Sequence, residues 1–493
     1  MSQNSVATGD AQPSMPARAG LILTVVCLCQ LMVVLDVSVV NVALPSIRAD
    51  LGFSANGLQW VVNAYTLTFG GLLLLGGRAA DLFGQRRAAM VGLGLFGITS
   101  LLGGLAQNPG ELIAARAAQG VSGALLLPVS LTVITTTFPE GAARHKALAV
   151  WGAVAGAGGA IGVLLGGLLT EYLDWRWVLF VNVPIAAVAI PLAAAGITNL
   201  RAGSRPRLDV AGAVLATAAM VVLVYVVVRT DAHPWGSAQT LGGLALALIL
   251  GLAFVAVQRR VASPLVRLGL LRARSLSVSG LVIFLIACGQ FGAFYFASLY
   301  LQGVLGYSPA RTGLAFVPFS LGVITGTVVA GKVMPKVGPR PPLIAGLVLA
   351  ALGMSWFGWV SPHGSFVADI LGPSLVASVG LGLCMVTNTA AGTSGVDRAE
   401  AGLASGLLNA ARQCGGSIGL AVLVTIATTV TSHHANPSSV EALTAGYDRA
   451  FLVAGILIAL AALAAVTLLG KTSAPVPTDA DELTATTAAV LDL

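Results

Sequence analysis

Apolar residues fall along this chain in fourteen long runs separated by short polar connectors. The runs lie at residues 20–43, 56–77, 88–106, 111–134, 147–169, 177–197, 210–229, 240–258, 276–301, 312–331, 342–360, 366–391, 404–430 and 448–470. A helix needs roughly 20 mostly apolar residues to cross a bilayer, so each run predicts one span. Helices satisfy their own backbone groups in lipid. The expected fold is all-α and integral to a membrane. No connector is long enough for a soluble domain, and an even count puts both termini on one side.

Charge gives the orientation. Of 26 Lys and Arg, nineteen fall on one side of the runs, five on the other (Arg48, Arg176, Arg229, Arg311 and Arg449), and two inside, Arg116 and Arg412. Excess basic residues mark cytoplasmic connectors, so both termini are expected in the cytoplasm. The division expected is a cytoplasmic tail over 1–19, a six-helix bundle over 20–197, and two inserted helices with basic connectors over 198–275. A second six-helix bundle follows over 276–470, then a tail over 471–493 whose Thr, Ala, Pro and acidic residues predict disorder.

Composition agrees. The 493 residues are 56% hydrophobic and 9% charged, against about 25% charged in soluble domains. The net charge of +7 lies in short clusters between spans, which fits topology and excludes a nucleic-acid face. All five cysteines lie within apolar runs, so no disulfide framework is implied. No small-residue cleavage site precedes the first span, which therefore reads as retained.

A weak repeat divides the chain. Gly77-Arg-Ala-Ala-Asp-Leu-Phe-Gly-Gln-Arg-Arg87 follows span two, and Gly331-Lys-Val-Met-Pro-Lys-Val-Gly-Pro-Arg340 follows span ten with both glycines at equal spacing. Spans 1–6 and 9–14 are thus expected to form two pseudo-symmetric halves, with spans 7 and 8 inserted between them. Such halves imply a transporter with its site between them, near the midplane.

Two ionisable residues lie deep in the first half. A charge at the bilayer centre costs about 2.5–3.5 kcal/mol on insertion scales, so Asp36 and Arg116 are functional candidates that need partners. With a rise of about 1.5 Å per residue, both lie roughly 8–10 Å from the outer ends of their spans, and Asn63 falls at a similar level. Asp36, Asn63, Arg116 and Gln119 are therefore expected in one polar cluster, with Asn41 nearby. The competing reading has Arg116 snorkelling alone to the surface. In span five, Gly158, Gly162 and Gly166 are spaced to allow close helix packing, with Gly167 beside them.

Several motifs occur together and in order. Asp36, Asn41 and Ala43-Leu44-Pro45 close span one, and Gly77, Arg78, Asp81, Gly84, Arg86 and Arg87 follow span two. Arg116, Gln119, Gly120 and Gly123 lie in span four, Asp174-Trp-Arg-Trp177 and Val181-Asn-Val-Pro184 follow span five, and Asn409, Arg412 and Gln413 lie in span thirteen. In this the chain resembles the major facilitator superfamily, and within it the fourteen-span drug:proton antiporters of the EmrB/QacA type. The resemblance implies export of hydrophobic or amphipathic drugs or antibiotics by alternating access, driven by proton influx across a plasma membrane, bacterial by analogy. It implies Asp36 as proton carrier, Arg116 in proton transfer, and Gly77–Arg87 as a cytoplasmic gate. The implied partners are a small-molecule substrate, protons and the bilayer, for a monomer with no cofactor, metal or nucleic acid. Two positions depart from the family pattern. Val163 replaces the proline of the span-five antiporter motif, and Pro335 replaces the acid in the second gate copy.

The substrate cavity is expected to draw on Gln30, Tyr65, Gln290, Phe294, Tyr295, Trp356, Asn388, Asn409, Arg412 and Gln413. With two arginines and one clear acid in the spans, neutral, weakly anionic or singly charged compounds are favoured over polycations. Arg412 has two readings, contact with helix carbonyls or a carboxylate partner in one state only. Gly326–Lys332 nearly spells a phosphate loop and Gly92–Gly97 a dinucleotide fingerprint, but both lie inside spans, and Val333 replaces the required Ser/Thr. No span pairs a nucleophile with a His base, so the protein is not expected to be an enzyme. A proton-coupled nutrient importer and a non-transporting sensor or scaffold are the alternatives.

Overall fold

The computed structural model describes residues 18–139, 142–197, 208–230, 233–394, 396 and 400–470. The predicted tails, and Arg201, Arg205, Arg207, Arg398 and Lys471 of the charge pattern, lie outside them. Among the described residues, fourteen helices are long and apolar enough to cross a membrane. They are α1 (Ala19–Leu51), α2 (Ala55–Phe83), α3 (Gln85–Gly104), α4 (Pro109–Thr137), α5 (Lys146–Tyr172), α6 (Trp177–Gly196), α7 (Val210–Val228) and α8 (Ala238–Arg260). Then follow α9 (Arg274–Gly303), α10 (Pro309–Val337), α11 (Arg340–Trp359), α12 (Phe366–Thr393), α13 (Gly402–Ser432) and α14 (Val440–Leu468).

Polar caps and glycines set the connectors. Asn108, Ser308 and Ser439 each accept a hydrogen bond from a first-turn backbone N–H, of Glu111, Arg311 and Ala442. Among the described residues four glycines hold positive φ: Gly52 and Gly84 after α1 and α2, Gly306 and Gly338 after α9 and α10. The same sequence separation divides each from its counterpart, so the repeat read from the gate motif recurs in the backbone. A side chain would be strained at any of the four.

One core gathers α1 through α6, with Met32, Phe69, Phe96, Val129 and Ala189 among its buried members. Small residues set how closely the helices approach. On α5, a Cβ at Gly158 would lie 3.3 Å from Val34, and one at Gly166 would lie 2.5 Å from the Val39 carbonyl, so α5 rests directly on α1. Gly162 belongs to the same row, against Ser38. Gly167 faces the other way, where a Cβ would lie 2.5 Å from the carbonyl of Pro309 on α10. α5 runs unbroken through Val163.

The two groups of helices meet chiefly at one end. Ser298 and Gln302 of α9 donate to the carbonyls of Asn41 and Val42 on α1, each at 2.8 Å. Glu171 accepts from the Ala310 backbone at 2.7 Å. Deeper in, Thr66 and Ser417 share a 2.5 Å hydrogen bond between α2 and α13. This seam lies away from the end that carries Arg86, Arg87, Arg144, Lys332 and Lys336, called here the basic end. The inserted α7 covers α2 and α13 from one side, through Val224, Val227 and Ala421.

Candidate functional site

The polar centre lies inside the first group of helices. Asp36 is 0% exposed and Arg116 is 1% exposed. Arg116 Nη1 donates to Asp36 Oδ2 at 2.5 Å and to Gln119 Oε1 at 2.9 Å, and its Nε donates to the Val61 carbonyl at 2.9 Å. Gln119 Nε2 donates to Asp36 Oδ1 at 3.2 Å and to Ser100 Oγ at 2.7 Å, and Asn182 Nδ2 donates to Asp36 Oδ1 at 3.1 Å. The Tyr65 ring lies beneath the guanidinium, 4.6 Å from centroid to Cζ. One carboxylate thus ties together α1, α3, α4 and α6, and its arginine adds α2.

Membership differs from the sequence expectation. Asp36, Arg116 and Gln119 come together, and Arg116 does not snorkel. Asn63 stands outside: its amide nitrogen reaches only Gln59, at 3.5 Å, although it is fully buried at a similar depth. Asn41 donates to the Val37 carbonyl of its own helix at 2.9 Å and touches nothing in the cluster. Both had matching depth or spacing but face another direction around their helices. Asn182 and Ser100 were missed. Asn182 carried a signal, an amide within an apolar run, while Ser100 carried none. Tyr65, expected in a cavity, belongs to the cluster.

The remaining cavity candidates separate. Gln30 is buried with its Oε1 unpartnered. Gln290 is buried on α9, and Asn388 Nδ2 donates to the Ser279 carbonyl at 3.1 Å. Tyr295 is buried against Phe296. Phe294 stacks on Phe316 and meets Phe319 edge-on, lining an apolar recess of the second group with Met354 and Phe357. Trp356 is 45% exposed on the outside of α11, against Gly372. Trp356 therefore does not face the seam, whereas Tyr295 shares the face of α9 that carries Ser298 and Gln302. Asn409, Arg412 and Gln413 lie on α13, where it passes α2.

At the basic end, Arg78 Nη1 donates to the Ser263 carbonyl at 2.6 Å, and its Nη2 reaches the carbonyl of Pro264. The first gate arginine therefore holds the connector after α8. Asp81 is exposed and has no hydrogen bond or ion pair among the described residues. In the second copy, Arg340 donates to the Val466 carbonyl at 2.7 Å. The Asp174–Trp177 motif is a clasp at the opposite end, where Arg176 and Trp175 both hold Asp50, at 2.9 and 3.0 Å. No cluster of His, Cys, Asp or Glu able to hold a metal occurs among the described residues.

The sequence matches the family described as Major Facilitator Superfamily over residues 26–420. It is 42% identical over 462 residues to the puromycin resistance protein of Streptomyces alboniger, covering 92% of each chain. It is 44% identical over 464 residues to the cephamycin export protein of Amycolatopsis lactamdurans, covering 93% of this chain and 94% of that one. Among solved structures, it superposes on a bacterial homologue of the lysosomal transporter Spinster with a TM-score of 0.65 at 17% identity, over 94% of this chain and all of that one. A peptide transporter gives 0.64 at 17% identity, over 91% of this chain and 96% of that one.

Proposed function

Because this chain belongs to the Major Facilitator Superfamily, we propose that it exports amphipathic drugs or antibiotics in exchange for protons. Its full-length relatives include resistance and export proteins, which supports outward transport of compounds of that kind. The positive-inside rule puts the basic end and both termini in the cytoplasm. A seam closed at the other end supports reading this arrangement as the inward-facing state of two halves that alternate.

The observation that carries the proton coupling is the sealed Asp36–Arg116 pair. A guanidinium in contact favours the charged carboxylate, and separation in a dry site favours the neutral acid. Proton uptake from outside would follow a shift of α4 or α1 that parts the two, and return of Arg116 would expel the proton inward. Asp81, which feels Arg78 here without an ion pair or hydrogen bond among the described residues, would gain a closer basic partner in the outward-facing state and so bias the equilibrium between them.

Expression of the protein should lower cellular accumulation of puromycin, and an uncoupler should restore it. Asp36→Asn should abolish the effect while the protein still reaches the membrane. Raised accumulation would instead indicate an importer, and resistance that persists with Asp36→Asn would remove the carrier role.

A further inference from the structure

Given the export reading above, the charge left over in the spans narrows the class of substrate. Asp36 is fully buried and already accepts from Arg116, Gln119 and Asn182, so it offers a ligand nothing. The other ionisable group at mid-membrane depth is Arg412, roughly 15 Å along α13 from its basic end. It is half-buried and makes no hydrogen bond, ion pair or ring contact among the described residues. Asp397 lies outside the described residues, and among those described the neighbouring acids are elsewhere or occupied. Glu400 is paired with Arg267 at 2.6 Å, Asp369 accepts from the Ser361 and Ser365 backbones, and Glu441 and Asp448 lie at the far end of α14.

The faces of α13 show where Arg412 points. Gly406, Gln413 and Ser417 meet α2 at Leu74, Gly70 and Thr66, while Gly415 and Gly419 meet α9 at Phe284 and Cys288. Thr425 meets α7 at the Val227 carbonyl. At about 100° per residue, Asn409, Arg412 and Gly416 fall between the α2 and α9 faces, on the side away from α7. That side looks into the seam between the two halves. Asn409 makes no side-chain hydrogen bond among the described residues either, and Gly416 brings the Phe291 ring against the helix one turn above Arg412. A free guanidinium, a free amide and an aromatic face thus share one side of α13.

An unpaired arginine at that depth is costly, and an anionic ligand offsets the cost. We propose that Arg412 is the counter-ion for a carboxylate or similar acid on the exported amphipathic compound, with Asn409 as a supporting donor and Phe291 as apolar wall. The planar fork of arginine suits a carboxylate, which accepts two parallel hydrogen bonds from it.

The test uses purified full-length protein with dansyl-phenylalanine, its neutral methyl ester and the cation rhodamine 6G, read by fluorescence titration. Wild type should bind the carboxylate about tenfold or more tighter than the ester, the scale of one charge-assisted hydrogen bond. Arg412→Gln should bring that ratio to within about threefold of unity, and Arg412→Lys should keep part of it. Asn409→Asp supplies an internal carboxylate one turn from Arg412 and should erase the same preference in a protein that keeps its arginine. Equal binding of acid and ester by wild type, or an unchanged ratio in both Arg412→Gln and Asn409→Asp, overturns the assignment. Efflux of the same three probes separates this from the wider reading. If wild type expels none of them, export itself fails. If it expels them with no charge preference, only the anion site fails.

Discussion

Two arginines lie inside the spans of this protein, and the fold treats them in opposite ways. Arg116 is closed off by a carboxylate, an amide, a backbone carbonyl and a tyrosine ring drawn from the first group of helices. Arg412, in the second group, has no partner among the described residues and is half-buried. Burial alone therefore does not assign a role. An arginine whose contacts are complete couples helices to one another, while one whose contacts are missing waits for something that arrives.

The comparison breaks most visibly if both arginines are removed in turn. Arg116→Ala strands Asp36 as a buried charge without its cation, and loss of one partner of a buried pair costs about 3–5 kcal/mol. Thermal unfolding in detergent should show a large drop and transport should vanish. Arg412→Ala should leave thermal stability within about 0.5 kcal/mol of wild type, as for substitutions away from a partnered network. Equal losses from the two would mean that Arg412 has a structural partner after all, and the contrast would be lost.

The contrast also shows what a sequence can carry. Depth along a helix follows from residue count, because the rise per residue is fixed. That is why Asp36 and Arg116 were expected at one level and are in contact. Direction around the axis depends on how six helices tilt against one another, which no local pattern records. Asn63 had the right level and faces Gln59 instead. Asn182 completes the site from α6, a helix to which no depth reasoning was applied. The fourteen spans and the small-residue row on α5 were legible because composition and four-residue spacing are local properties. The freedom of Arg412 was not, since it depends on which acids come near it only after folding.

A smaller effect sharpens the account of the sealed site. Asn182→Ala removes one of three donors to Asp36 but leaves the ion pair in place. The expected cost is about 1–3 kcal/mol, a hydrogen bond to a charged group. Export should fall but persist. Efflux from right-side-out vesicles and thermal unfolding measure this, and wild-type values of both would contradict the assignment. Gln119→Ala should add to Asn182→Ala less or more than independently, because both donate to the same oxygen of Asp36.

The smallest expected effect tests the boundary of the cluster. Asn63 is fully buried, yet its amide makes a single long hydrogen bond and its Oδ1 has none. Replacing a poorly satisfied buried amide by an apolar group of similar shape is close to neutral or stabilising, because no well-made contact is lost. Asn63→Leu should therefore leave both thermal stability and the pH profile of export within about 0.5 kcal/mol of wild type. Asn41→Ala removes only a hydrogen bond to the Val37 carbonyl of its own helix, and should be equally mild in stability. The two substitutions bear on different claims. Asn63 shares the level of Asp36 without touching it, so a displaced pH profile there would extend the polar site beyond the residues now in contact. Asn41 lends the C-terminal half its backbone carbonyl, which Ser298 holds and which alanine retains. A transport defect in Asn41→Ala with an unchanged pH profile would therefore place the asparagine side chain in the closing of the seam, apart from the proton site.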